Sequence, residues 1–121
     1  MPWEYTQTSG ELRHNSVLVY DKGYSGKGFA KNKPDSEHES KKGPIPRGTW
    51  IIGQPYYSTR VGPYAIPLTP SGHNAHGRID FRFHGDDKHD LGNASEGCIV
   101  LPLDIRRRIV ASGDTMLYVV R

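Results

Sequence analysis

Arg78-Ile79-Asp80-Phe81-Arg82-Phe83-His84 (RIDFRFH) is the stretch on which the fold reading turns. Ile79, Phe81 and Phe83 alternate with Asp80, Arg82 and His84, the period of two that sends successive side chains to opposite faces of a strand. The pattern predicts a strand over 78–84 with its apolar face in the core and His84 on the other face, beside Arg82. Shorter runs of the same kind lie around it. Ser16–Tyr20 (SVLVY) is β-branched and aromatic. Thr49–Ile52 (TWII) leaves the stiff turn Gly43-Pro44-Ile45-Pro46-Arg47-Gly48. Gly97–Leu101 reads as a short buried strand and Thr115–Val120 as a final one. Tyr64–Leu68 is a poorer strand that Pro67 assigns to a sheet edge, with 69–77 as loop. Helical spacing occurs over 104–112, where Asp104 is placed to cap, Ile105, Ile109 and Val110 form a stripe, and Gly113 ends the run. The sum is an all-β sandwich or barrel with one short helix near the C-terminus.

Composition narrows the class. A chain of 121 residues fits one domain spanning 1–121. Hydrophobic residues at 35% are sparse for a globular domain but too many for a disordered one, and 23 Gly and Pro together favour short strands and many turns. The formal charge of +3 is small. The runs Lys41-Lys42 and Arg106-Arg107-Arg108 read as solvated charge, so no nucleic-acid partner is expected. No stretch approaches the roughly 20 apolar residues that span a bilayer, so no membrane insertion is expected either. The opening MPWEYTQTSGELRHNS has neither a basic nor an apolar region of the secretory type, which predicts export, if any, without an N-terminal signal peptide. With one cysteine the chain forms no internal disulfide and no cysteine-based zinc cluster. The polar segment 31–42 is expected to be a mobile loop.

The chemistry concentrates between His84 and Leu101. A histidine ends a strand on its polar face, a polar loop follows, and Ser95-Glu96-Gly97-Cys98 opens an apolar run. A lone cysteine ahead of Ile-Val-Leu is ordinarily a small buried hydrophobe. A thiol becomes a nucleophile only as thiolate, and so needs a base or a cation beside it. His84 and Cys98 meet if their strands are neighbours. Gly97 then lets a carbonyl approach the backbone, with the Gly97 and Cys98 amides as oxyanion donors.

His84-Gly85 followed by Ser95-Glu96-Gly97-Cys98-Ile99 resembles the signature of the L,D-transpeptidase (YkuD-like) family. A narrower resemblance covers nearly the whole chain. Trp3-Glu4-Tyr5 and Gly10, Gly23-Tyr24-Ser25-Gly26, Gly43-Pro44-Ile45-Pro46-x-Gly48, His84-Gly85-Asp86 and Ser95-Glu96-Gly97-Cys98-Ile99 are similar to the type VI secretion L,D-transpeptidase-like effectors, interbacterial toxins delivered to a neighbour's periplasm. The resemblance implies a YkuD-like β fold, with Cys98 as nucleophile, His84 as base and the Gly85 carbonyl orienting the imidazole. It implies no cofactor, peptidoglycan stem peptides as substrate, secretion machinery for delivery and a cognate immunity protein. Ser95 is expected to hold the loop, and Ser95, Gly97, Arg82 and Asp86 are the residues placed near substrate. Ordinary members carry His where Glu96 stands and Arg where Val100 stands. That leaves Arg82, or an arginine of the 106–108 run, to meet a substrate carboxylate.

Two rival readings follow from the same residues. His73, His76, His84 and His89, with Asp86, Asp87 and Asp90, offer the ligand types of a zinc peptidase, although no HExxH helix is present and Ser-x-Gly-Cys is left without a role. The other rival is a non-catalytic cell-wall-binding module, against which the His84/Cys98 pair stands.

Overall fold

The computed structural model describes residues 2–121. Ten strands and one α-helix follow in the order β1 (Trp3–Thr6), β2 (Leu12–His14), β3 (Val17–Tyr20), β4 (Tyr24–Ser25), β5 (Gly48–Ile52), β6 (Tyr56–Ser58), β7 (Gly62–Ser71), β8 (Phe81–His84), β9 (Ile99–Val100), α1 (Leu103–Ser112) and β10 (Met116–Val120). The fold is mainly β with one short helix, as the pattern predicts. The strands form one mixed sheet in the order β3-β2-β1-β10-β5-β7-β8-β9-β4, and β6 pairs with β7 beside this path. Its two terminal strands, β3 and β4, are separated in sequence only by Asp21, Lys22 and Gly23. So short a link spans little more than ten ångströms, about 3.5 Å per residue. The sheet must therefore curl until its ends nearly meet, an open barrel.

Trp3, Tyr5, Leu12, Trp50, Ile66, Phe83, Ile99 and Leu117 fill the interior. Helix α1 adds Ile105 and Ile109 to it and stops at Gly113, whose φ of 74° is the left-handed conformation that glycine adopts without strain. Pro102 stands at the helix N-cap and Asp104 lies inside the first turn, so the capping expected of Asp104 is displaced by two residues.

Four sequence readings are corrected. The strand read as 78–84 begins only at Phe81, because Asp80 takes a positive φ of 66° and interrupts the alternation. Ile79, read as core, is therefore 79% exposed, while Arg78 turns inward and is buried. The poor edge strand is instead the long β7, which runs through Pro67 and Pro70 and pairs with β5 on one side and β8 on the other. Arg106, read as solvated charge, is buried, its guanidinium donating to the carbonyls of Leu101, Pro63 and Tyr64 at 3.0 Å each. The segment 31–42 contains a short 3₁₀ turn at Pro34–Ser36 and is anchored through Glu37, which accepts hydrogen bonds from Gln7, Arg47 and His76.

Candidate active site

Strands β8 and β9 are parallel neighbours with Phe83 opposite Ile99 and His84 opposite Val100. One step back along this register brings Cys98 level with Arg82. Phe83 and Ile99 share the core face, so Arg82, His84 and Cys98 share the other. There His84 and Cys98, only 2% and 8% exposed, line one cavity of about 390 Å³ together with Asp80 and Arg82. His84 Nδ1 lies 2.7 Å from the Gly85 carbonyl oxygen. A neutral imidazole donates its Nδ1–H there, which leaves Nε2 as the acceptor. The Cys98 thiol donates to the Asp80 carbonyl at 3.4 Å rather than to the imidazole.

Burial sets the resting charge of both groups. It pushes the Cys98 thiol up from its ordinary value, against the opposing pull of the Arg82 charge and backbone N–H and of Arg60. It pushes the His84 imidazole down, the Gly85 carbonyl opposing and Arg82 and Arg106 adding to the fall. Both shifts favour the uncharged form, so at neutral pH thiol and imidazole are uncharged rather than an ion pair.

The loop that presents Cys98 is stitched to turns distant in sequence. Ser95 is fully buried, and its hydroxyl donates to the Cys98 carbonyl at 2.6 Å while accepting from the amides of Gly26 and Gly97. Ser25 donates to the Gly97 carbonyl and accepts from the Ile45 amide. Tyr24 donates to Asp86 at 2.7 Å and accepts from the Ala94 amide. Asp86 also accepts from the Asp87 and Gly92 amides, so it holds the 86–94 loop in shape. Both Gly97 backbone groups are engaged inside the protein, its N–H by Ser95 and its carbonyl by Ser25. Gly97 also has a steric reason: at φ 132° a Cβ would fall 2.4 Å from Arg78 Nη2.

Arg78 is the residue that sequence reasoning missed. Its guanidinium donates to the carbonyls of Glu37, Gly43, Pro44 and Glu96, joining the 37–44 segment to the loop that carries Cys98. Its position at the head of an alternating run disguised it, although a break in that run would have released it from the solvent face. Arg82 donates to Ser58 at 3.3 Å and lines the cavity.

Residues 20–115 match the family model of the Tlde1 domain, a type VI secretion effector domain. The chain belongs to this family. No curated protein and no solved structure matches it. The matched span of the Tlde1 domain contains the whole cavity, including Cys98, His84 and every turn that braces them.

The histidines proposed for zinc in this Tlde1 domain are dispersed. His73 Nε2 lies 3.0 Å from the Thr49 carbonyl while its Nδ1 accepts from the Ala75 amide, and His76 Nε2 contacts Glu37. Among the described residues no three His, Cys, Asp or Glu side chains gather as a metal would require. No helix among them is long and apolar enough to cross a membrane.

Proposed function

We propose that this domain is a cysteine-dependent enzyme of peptidoglycan stem peptides. Its reaction is L,D-carboxypeptidase cleavage between meso-diaminopimelate and D-alanine of tetrapeptides, with exchange of D-amino acids as the transferase branch. The observation that carries the reading is the sharing of one cavity by Cys98 and His84, with the Nδ1 of His84 pinned to the Gly85 carbonyl.

In the reaction, His84 Nε2 takes the Cys98 proton and the thiolate attacks the carbonyl at the L-centre of meso-diaminopimelate. The Cys98 amide meets the oxyanion. Collapse breaks the C–N bond, His84 returns the proton to the departing D-alanine amine, and a thioester remains. Water, or the amine of a D-amino acid, gives its proton to His84 and attacks the thioester; the C–S bond breaks and the sulfur is reprotonated. Arg82 beside the sulfur lowers the cost of the thiolate without fixing it in advance. Trimming removes the tetrapeptide donors that cross-linking needs, which accounts for toxicity in the periplasm of a target cell after delivery by secretion machinery. A producer of such an enzyme needs an immunity protein that closes the cleft.

Mass spectrometry of tetrapeptide-rich sacculi tests this directly. Wild-type protein is expected to yield tripeptides, or D-methionine-bearing stems when that amino acid is added, and Cys98→Ala neither. An unchanged profile with the wild type, or equal activity in the variant, refutes the thiol mechanism.

A further inference from the structure

Beside the nucleophile stands an ion pair that the reaction does not use. Arg60 Nη2 lies 3.2 Å from Glu96 Oε1, and Lys27 Nζ lies 3.8 Å from Glu96 Oε2. Arg60 and Glu96 line both the Cys98 cavity and an adjoining cavity of about 610 Å³, so the pair stands at the border between the two. Glu96 is held at the root, where its carbonyl accepts from buried Arg78 at 3.2 Å. Its carboxylate is thereby presented at the mouth, two residues before the thiol. The two side chains are 67% and 42% exposed. An ion pair so open to solvent adds little to stability, and separating it costs correspondingly little.

The other arginines near the site have different duties. Arg78 is enclosed by four carbonyls and Arg106 by three. Arg82 lies against Ser58 and the sulfur. Arg60 is thus a guanidinium at the mouth whose partner is an exposed side-chain carboxylate. A carboxylate and a guanidinium in contact form a template for a group that carries both opposite charges. An α-amino acid terminus is such a group: its carboxylate takes Arg60, its ammonium takes Glu96, and no charge is left unpaired when the protein's own pair opens.

We infer that Arg60 and Glu96 are specificity-determining residues that read the zwitterionic D-centre at the end of the diaminopimelate side chain. This rests on the stem-peptide reading above and selects diaminopimelate stems over lysine stems, which carry the ammonium without the carboxylate.

Calorimetry on the Cys98→Ala protein, with synthetic tetrapeptides containing meso-diaminopimelate or L-lysine, separates recognition from turnover. The diaminopimelate peptide is expected to bind about tenfold more tightly, the scale of one charge-assisted contact in a partly exposed site. Arg60→Gln should abolish that preference while leaving the lysine peptide within about twofold, because only the carboxylate contact is lost. Glu96→Gln should weaken both peptides, since both offer the ammonium. Arg60→Lys, which keeps the charge, should restore part of the preference. Thermal unfolding of each variant checks that the fold is intact. Equal loss for both peptides in Arg60→Gln, no loss for either, or no binding by the parent protein overturns the inference. Turnover of sacculi without discrimination defeats this inference and leaves the reaction standing; discrimination without turnover does the reverse.

Discussion

Burial acts on Cys98 and His84 in opposite senses, raising the thiol and lowering the imidazole, so both are uncharged at rest. A group whose charged form is disfavoured reacts later in a pH titration. The rate of Cys98 alkylation by iodoacetamide should therefore rise with a midpoint above that of a free cysteine. Arg82 opposes the shift, so Arg82→Gln should move the midpoint further up; a midpoint below the free-cysteine range in either protein would contradict the neutral pair. The meeting of His84 and Cys98 was legible from a strand end and a strand start, given the one condition that their strands be neighbours, which the sheet fulfils. Arg78 was not legible, since its four acceptors are backbone carbonyls that no side-chain pattern announces. Glu96 and Arg60 were equally hidden, being 36 residues apart in sequence and in contact only through the fold.

Each strand shows what period two can and cannot tell. Phe81 and Phe83 obey it, whereas Ile79 departs from it because Asp80 adopts a left-handed backbone. Ile79→Ser should accordingly change stability by no more than about 0.5 kcal/mol, whereas Phe83→Ala should cost about 4 kcal/mol, as urea unfolding would resolve. The short strands β1, β2, β4 and β6 went unread. Trp3-Glu4-Tyr5-Thr6 does alternate, but four residues or fewer give the period too little length to stand out. β7 was misplaced for a different reason: proline argues for an edge, yet here the neighbouring ladders run past Pro67 and Pro70 on either side. The 31–42 segment was read from polarity alone, while its anchor is one carboxylate. Burial would raise Glu37, but hydrogen bonds from His76, Gln7 and Arg47 outweigh it and hold the carboxyl at about 2, below the ordinary 4.5. A depressed carboxyl contributes fully above its unfolded value, and that contribution is lost as pH falls from about 4.5 through about 2. Glu37→Gln should lower stability by about 2 kcal/mol at pH 7, and the gap to wild type should close across that acid window when unfolding is followed by circular dichroism.

At the scale of the whole molecule, the region matched by the Tlde1 family model and the folding unit differ in extent. Residues 20–115 contain the cavity but omit β3 up to Tyr20 and all of β1, β2 and β10, the last three of which supply Trp3, Tyr5, Leu12, Leu117 and Val119 to the core. Without them β5 loses its partner β10 and the centre of the sheet becomes an edge. A 20–115 fragment is expected to lack a cooperative thermal transition and dispersed amide signals; a folded fragment would show that the barrel tolerates the loss of these strands. The stitching of the Cys98 loop carries a consequence for time. Ser25 reaches Gly97 across 72 residues of chain and Tyr24 reaches Ala94 across 70. Contacts so remote form only after the intervening chain has been ordered, since the entropy of closing each loop must be met before the contact rewards it. Refolding from urea should therefore restore sheet ellipticity first and shield Cys98 from a pulse of alkylating reagent last, making the single thiol a clock for the final step of folding.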